Sequence, residues 1–222
     1  MTYIEFISGF LFRINVGMPI YTKQIAYEMS KEYNLSEKDA AAAVSVALKR
    51  IMDGNKIPEL RLYQKGIYYK TKITPFGEIG INQEQLITDK YILPHIGYET
   101  GLTIINRLGL TTQIPKERMI ATNLAKDCVR TDKKLGVTIK PPKTPINAQN
   151  KKYLQLLDTL ELIDRTPIDE EEPYKIIANY IQNENLQYGK LLAYADSYYN
   201  KKTIFHLAHT ASAGGVNIWN CI

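Results

Sequence analysis

Cysteine is scarce in this 222-residue sequence, which has only Cys128 and Cys221, far apart and in no Cys-x-x-Cys pair. Two such thiols are too few for a zinc site, and we expect both to be reduced. No run approaches the roughly 18 uninterrupted apolar residues that a membrane span needs. The first residues lack the basic lead-in of a signal peptide. These absences predict a cytoplasmic protein that has no membrane partner.

A strong charge of either sign is also missing. The net charge is +5, with 11 Lys+Arg against 7 Asp+Glu in residues 1–72 and 4 against 6 in residues 167–222. A mildly basic front permits nucleic-acid binding but does not establish it. With 45% hydrophobic and 23% charged residues, the composition is typical of a globular protein with one large domain or two small ones.

The first part of the chain follows the order helix, short strand, helix, helix, hairpin. Thr22 and Ser36 are expected N-caps, and Asp39 stands where a carboxylate completes a variant capping box after Ser36. Hydrophobic periodicity predicts the helices, and glycine-containing turn residues predict the hairpin. The predicted ranges are 2–14, 23–33 and 37–52 for the helices, 18–21 for the short strand, and 57–63 and 67–72 for the hairpin strands. This order predicts a winged helix-turn-helix in residues 1–74.

The third helix is the expected recognition helix, since the second helix of a helix-turn-helix enters the major groove. Its predicted inward stripe is Ala41, Val44, Leu48 and Ile51. The expected DNA contacts lie at the start of the second helix, on the outer face of the third and in the wing. They are Thr22, Lys23, Gln24, Lys38, Ala42, Ser45, Lys49, Arg50, Arg61 and Lys65. The competing interpretation is an ordinary solvated basic face.

A second domain is expected over residues 75–213, followed by an irregular tail over residues 214–222. The glycine- and proline-rich residues 74–80 indicate the boundary. Helices are predicted at 83–91, 97–108, 149–163, 173–183, 186–199 and 202–211, and strands at 118–123 and 135–140. The expected fold class is α+β, with an N-terminal winged helix-turn-helix and a mixed α/β C-terminal domain with a helical tail.

Several segments resemble one family. Residues 47–51 (ALKRI), Gly54, Ile57 and residues 65–69 (KGIYY) are similar to the recognition helix and wing of AbiEi-type antitoxins. The more specific part is the central motif of that family, which resembles residues 95–102 (HIGYETGL), 106–115 (NRLGLTTQIP) and 120–123 (IATN). A later block resembles residues 153–160 (YLQLLDTL). The resemblance covers roughly residues 17–210.

This resemblance implies a regulator from an abortive-infection, type IV toxin–antitoxin operon. Its N-terminal domain would bind double-stranded operator DNA as a repressor of its own operon. We expect two copies to bind an inverted repeat. Its C-terminal domain would act as antitoxin against a nucleotidyltransferase-like toxin of the same operon, without requiring a stable complex. We expect neither an enzyme nor a cofactor, because the sequence shows no Ser/His/Asp or Cys/His arrangement and no carboxylate cluster.

Three patterns favour catalytic or metal chemistry only weakly. His206 and His209 are spaced as metal ligands on a helix, but no third ligand is evident, so a partly exposed pair is expected. Asp132 begins an Asp-x-Lys pattern that lacks the further carboxylates of a magnesium nuclease. Residues 97–101 lack the lysine of a phosphate loop.

Two functional alternatives therefore stand beside the DNA-binding antitoxin. The first is a protein-interaction module that binds a toxin or another partner without DNA, and the dependence of binding on salt distinguishes it. The second is an enzyme that acts on nucleic acid through the second domain, which a magnesium-dependent cleavage assay would detect.

Overall fold

A computed structural model of the chain describes residues 2–216 and has a mixed α+β architecture. The chain divides into two compact units, Met1–Leu86 and Ile87–Ile222, later than the predicted boundary after residue 74. Residues 217–222 of the predicted irregular tail lie outside the described residues. Between residues 2 and 216, no helix has the length and apolar character that a bilayer crossing requires.

Three helices of the first unit are α1 (Tyr3–Phe12), α2 (Thr22–Tyr33) and α3 (Glu37–Asp53). α1 begins at a capping box, in which the Glu5 amide donates to Thr2 Oγ1 (3.3 Å) and the Thr2 amide donates to Glu5 Oε2 (2.7 Å). These two bonds satisfy amides that have no partner inside the helix. All three helices were predicted, and their observed bounds differ from the predicted ones by at most two residues.

An antiparallel sheet of three short strands belongs to the same unit. Its strands are β1 (Ile20–Tyr21), β2 (Leu60–Gln64) and β3 (Ile67–Lys70), in the order β1-β3-β2. The register of β2 against β3 shifts between Leu62 and Gln64, as at a β-bulge. The predicted hairpin is confirmed, although both strands are shorter than expected.

The first unit has its own hydrophobic core between the helices and the sheet. Its fully buried side chains include Ile7, Leu11, Ile20, Ile25, Met29, Val44, Leu48 and Ile51. The predicted inward stripe of α3 is confirmed except at Ala41, which is exposed while Ala40 and Ala47 are buried. A single methyl group contributes little to amphipathicity, so the larger apolar residues determine which face of α3 turns inward.

Residues beyond 74 stay attached to the first unit. A small hairpin, β4 (Ile73–Thr74) and β5 (Gly77–Glu78), precedes α4 (Gln83–Ile87). The amide of Asn82 donates to Gly17 O (2.7 Å) in the segment between α1 and β1. The glycine and proline residues at 74–80 therefore include a tight hairpin turn, which carries the same sequence signal as an interdomain linker.

The second unit begins with a π-helical turn, Thr88–Ile92, and contains one four-stranded sheet. The strand order is β6-β7-β9-β8, in which β7 and β9 run parallel and the other pairs antiparallel. The strands are β6 (Gly97–Thr100), β7 (Arg118–Thr122), β8 (Arg130–Asp132) and β9 (Val137–Lys140).

The helix predicted over residues 97–108 is wrong in its first part. Gly97–Thr100 is a fully buried strand paired with β7, and only Leu102–Arg107 is helical, as α5. Gly101 separates the two with φ +69, a conformation that glycine adopts without strain. A Cβ at Gly97 would clash with Tyr91 O and would lie 2.8 Å from Ala121 O, so close packing against the π-helical turn and β7 requires glycine here.

Four helices complete the second unit: α6 (Lys151–Leu162), α7 (Pro173–Asn183), α8 (Tyr188–Tyr198) and α9 (Lys201–Ala213). All four were predicted, and the bounds of α7 agree with the prediction. Their apolar faces form the core together with α5. The buried members include Ile105, Leu156, Leu157, Leu160, Ile177, Ile181, Leu191 and Leu207.

Two buried carboxylates of the second unit have cationic partners. Glu99 on β6 accepts from Arg118 Nε on β7 (2.9 Å) and pairs with Arg107 of α5. Asp158 on α6 pairs with Lys140 Nζ at the end of β9 (2.6 Å). A buried charge is costly unless it is paired, so each pair fixes the elements that it joins. These carboxylates therefore have a structural explanation within the sheet and its helices.

Candidate nucleic-acid interface

The outer face of α3 carries one row of the predicted contact residues. Lys38, Ala42, Ser45 and Lys49 follow each other at spacings of four, three and four, and all are exposed. Such spacings place side chains on one side of a helix. Arg50 is also exposed, beside this row. The predicted exposure of this face of α3 is confirmed.

A tight turn and a side-chain cap determine where α3 begins. Asn34 ends α2 in the left-handed conformation, with φ 52 and ψ 44. Ser36 Oγ accepts from the Asp39 amide (3.1 Å), which confirms the predicted cap. The Ser36 hydroxyl also donates to Asp39 Oδ2 (2.6 Å), so the carboxylate reaches the hydroxyl of the cap residue. The chain therefore turns from α2 into α3 within three residues.

The chemistry of the outer face differs along its length. Lys38 and Lys49 provide ammonium donors, and Ala42 leaves room for a close approach. Ser45 donates its hydroxyl proton to Ala41 O (2.9 Å). A hydroxyl has one proton and two lone pairs, so Ser45 can accept a hydrogen bond while this bond lasts. The row therefore combines cations suited to phosphate with a small central surface suited to a base edge.

The tip of the β2–β3 hairpin lies against the start of α2. The Thr22 amide donates to Gly66 O (3.0 Å), and Tyr21 pairs with Ile67 of β3. Gly66 has φ +85, and a Cβ there would lie 3.4 Å from Thr22 Oγ1. The tip thus brings Lys65 close to the first turn of α2.

The residues at the start of α2 are accessible to different degrees. Lys23 and Gln24 are exposed, whereas Thr22 is half-buried. The prediction that Thr22 is the N-cap is wrong: Tyr21 is the N-cap, without a side-chain cap hydrogen bond, and Thr22 is the first helical residue. Tyr21 is both the last residue of β1 and the N-cap, with φ −93 and ψ 123, so the helix follows the strand without an intervening cap residue.

Arg61 is not placed with the other predicted contacts. Its Nε donates to Glu78 Oε1 (3.1 Å), and its Nη1 donates to Pro58 O (2.7 Å) and Leu60 O (3.2 Å). Arg61 is opposite Tyr69 near the base of the hairpin, away from the tip. Its guanidinium group therefore joins β2 to β5.

The remaining predicted cations have no such partner. Between residues 2 and 216, no ion pair involves Lys23, Lys38, Lys49, Arg50 or Lys65. Cations without an internal ion-pair partner are free to contact an anionic partner. Cations located on α2, on α3 and at the hairpin tip are thus available to contact phosphate groups.

Sequence reasoning missed Lys56, which follows α3 and lines a groove between α3 and α1 together with Arg50 and Val46. The sequence did contain one signal for Lys56 as a possible contact residue: it lies two residues after Gly54, in a basic part of the chain. The groove itself could not be predicted, because its shape depends on how α1 packs against α3.

The two histidines of α9 differ from their prediction as a partly exposed pair. His206 is 5% exposed, whereas His209 is exposed. In the neutral tautomer that satisfies all partners, Tyr174 Oη donates to His206 Nδ1 (2.8 Å) and Nε2–H donates to Asp164 Oδ2 (2.8 Å). Lys202 Nζ also pairs with Asp164 (2.6 Å), and this hydrogen bond is the main cause that lowers the pKa of Asp164.

These contacts give His206 a structural role, in which it joins α9 to α7 and to the end of α6. In the described part of the chain, no group of three or more His, Cys, Asp and Glu side chains is arranged to hold a metal ion.

Neither a scan against models of protein families nor a search of curated proteins finds a match to this sequence. The resemblance to AbiEi-type antitoxins therefore remains a prediction from the quoted motifs.

Proposed function

We propose that the first unit is a winged helix-turn-helix that binds duplex DNA, with α3 in the major groove and the β2–β3 turn on the backbone. The observation that carries this proposal is the exposed row Lys38, Ala42, Ser45 and Lys49, whose two lysines form no ion pair among residues 2–216. A major groove about 12 Å wide admits one helix, and α3 presents this row without losing core contacts.

The contacts around α3 support the same mode of binding. Because the Thr22 amide is bonded to Gly66 O, the start of α2 and the hairpin tip form one surface with Lys23 and Lys65. Side chains at a helix start and on a wing commonly hold the DNA backbone and fix the register of the recognition helix. Base recognition would then come from Ser45 and its neighbours on α3.

The wider role rests on the family resemblance. We infer that the chain is a cytoplasmic antitoxin that represses its own toxin–antitoxin operon, with two copies bound to an inverted repeat. The second unit would neutralise a nucleotidyltransferase-like toxin of the same operon. No catalytic step is assigned to this chain.

Binding to the chain's own upstream DNA tests the first part of the proposal. We expect fluorescence anisotropy to show tighter binding to that duplex than to a scrambled duplex of equal length. Affinity should fall steeply with salt, because each phosphate contact releases a counterion. Equal affinity for both duplexes would contradict sequence-specific repression, and an absence of binding at low salt would contradict DNA binding altogether.

Protein interaction is the second candidate, and one specific observation favours it. Phe12, Ile73 and Phe76 of the first unit are almost fully exposed, which is unusual for large apolar side chains. If this unit binds a protein, association with that protein should depend weakly on salt and should fall when Phe76 is replaced by serine.

The antitoxin role has its own test. Expression of the product of the adjacent reading frame should inhibit growth, and co-expression of this chain should restore it. Truncation after residue 86 should abolish the restoration while leaving DNA binding by the first unit. Growth that is equally inhibited with and without the full chain would contradict the antitoxin role.

A further inference from the structure

A groove of about 750 Å³ runs beside α3 on the side that faces α1. The first turn of α1 forms one wall, with Tyr3 and Ile4, and α3 forms the other, with Ala43, Val46 and Arg50. The alanine side chains of α3 that line the groove are small. They leave a concave surface between the two packed helices. Its volume is in the range of sites for small molecules, about 300–1,000 Å³.

The walls of this groove are apolar but remain in contact with water. Val46 is 51% exposed and Tyr3 is 40% exposed. Val46 and Tyr3 belong to helices that bury another face in the core of the first unit. These two side chains are therefore exposed although their helices are well packed. Apolar side chains that line a concave surface lower the free energy of a bound apolar group by removing it from water.

The charge of the groove is positive at the end where α3 finishes. Arg50 and Lys56 line this end, and neither has an ion-pair partner among residues 2–216. The single carboxylate among the lining residues is Glu5, and it stays ionised, because the hydrogen bond from the Thr2 amide (2.7 Å) lowers its pKa. The groove therefore combines apolar walls with two unpaired cations and one carboxylate, which leaves an excess of one positive charge.

From these observations, we propose that the groove binds a small amphiphilic carboxylate. Its apolar chain would lie along Val46 and Tyr3, and its carboxylate would pair with Arg50 and Lys56. From Ala42 to Arg50 the groove extends about 12 Å along α3, at 1.5 Å per residue, which suits a chain of medium length. Neither a cation nor a neutral alcohol of the same length has this complementarity.

This binding would also affect the proposed DNA-binding surface. Ala42 and Arg50 line the groove and belong to the surface of α3 that we propose to face DNA. A carboxylate bound to Arg50 would compete with phosphate for the same guanidinium group, so each ligand should weaken the other by the same factor. This second step rests on the proposed function, whereas binding of the carboxylate does not.

Octanoate is the probe for the first step, measured with the full chain in the absence of DNA. Titrations followed by NMR chemical shifts should give saturable binding of octanoate, several-fold tighter than that of octanol, octylammonium or acetate. Equal affinity for octanol would overturn carboxylate recognition, and equal affinity for acetate would overturn the role of the apolar channel.

Variants locate the site. Arg50→Gln and Val46→Ser should each weaken octanoate binding, by about two- to fivefold for the exposed ion pair. Lys38→Gln, an exposed lysine of the same helix outside the groove, is the matched control and should bind octanoate like the wild type. All three positions are exposed, and circular dichroism verifies that each variant is folded. Unchanged octanoate affinity in both groove variants would overturn the site.

The coupling is then measured with DNA. Octanoate should reduce the affinity of the wild type for the upstream duplex, and Arg50→Gln should remove this effect. Octanoate that binds in the groove without changing duplex affinity would overturn the coupling alone. If the chain binds no DNA at all, the proposed function is wrong. The titration without DNA still shows whether the groove binds octanoate.

Discussion

Replacing Lys49 and Arg50 by alanine tests which cations of the first unit contact DNA, because Arg61 provides a comparison within the same unit. All three were predicted contacts, but Arg61 is bonded to Glu78 while the other two are unpaired. Each phosphate contact contributes about −0.9 to the slope of log K against log salt, so five unpaired cations predict a slope of about −4.5 for each bound copy. The double variant should have a slope of about −2.7 and should weaken binding by a few kcal/mol at most.

The measurement is fluorescence anisotropy with a labelled upstream duplex over a series of sodium chloride concentrations. Arg61→Ala should leave the slope unchanged. Its ion pair with Glu78 is 42% and 48% exposed and should contribute no more than about 1 kcal/mol. The variant also loses the hydrogen bonds to Pro58 O and Leu60 O, so urea denaturation should show a total loss of about 1–3 kcal/mol. The reasoning is refuted if Arg61→Ala flattens the salt dependence and the double variant keeps the wild-type slope.

Three further predictions concern stability. Leu48→Ala should lower the free energy of unfolding in urea by about 2–5 kcal/mol, because the side chain is fully buried in the core of the first unit. Tyr174→Phe should cost about 1–3 kcal/mol by leaving the buried ring of His206 without its hydroxyl partner, and an unchanged urea midpoint would contradict this. Burial alone would raise the pKa of Asp132, but hydrogen bonds led by that of Lys90 lower it to about 2. Its stabilising contribution, complete at neutral pH, should therefore be lost as pH falls from 3.8 through about 2, and Asp132→Asn should flatten that part of a stability–pH curve.

The elements that could be predicted are those determined by local signals. α3 has a serine cap, strong helix formers and an apolar stripe, and its observed range, Glu37–Asp53, differs from the prediction by one residue. The hairpin was likewise indicated by a glycine turn between two extended runs. In both cases, the interactions that determine the element lie within a few residues along the chain.

Elements that depend on distant pairing could not be predicted in this way. Gly97–Thr100 becomes a strand because β7, about twenty residues later in the chain, provides its hydrogen-bond partners. Its only charged residue, Glu99, is buried, since Arg118 and Arg107 neutralise it. Local propensity contains no information about these partners, so the helical pattern of the flanking residues was extended too far.

The same limit applies to the candidate site. Arg61 has the sequence signature of a basic wing residue, and nothing near it in the sequence indicates that Glu78 will bind its guanidinium group. Lys49 has a comparable signature but forms no ion pair among residues 2–216. A basic residue can therefore be assigned to an external partner only after its internal partners are known.

The packing of α3 separates its stability from its proposed function. Val44, Leu48 and Ile51 hold the helix from the core side, while Lys38 and Lys49 on the opposite side form no ion pair in the described chain. Folding of the first unit therefore does not require the outer row, and unpaired like charges there oppose the compact state slightly. A loss of DNA affinity in a variant of the outer row would consequently report a lost contact, because the core that holds α3 is unchanged.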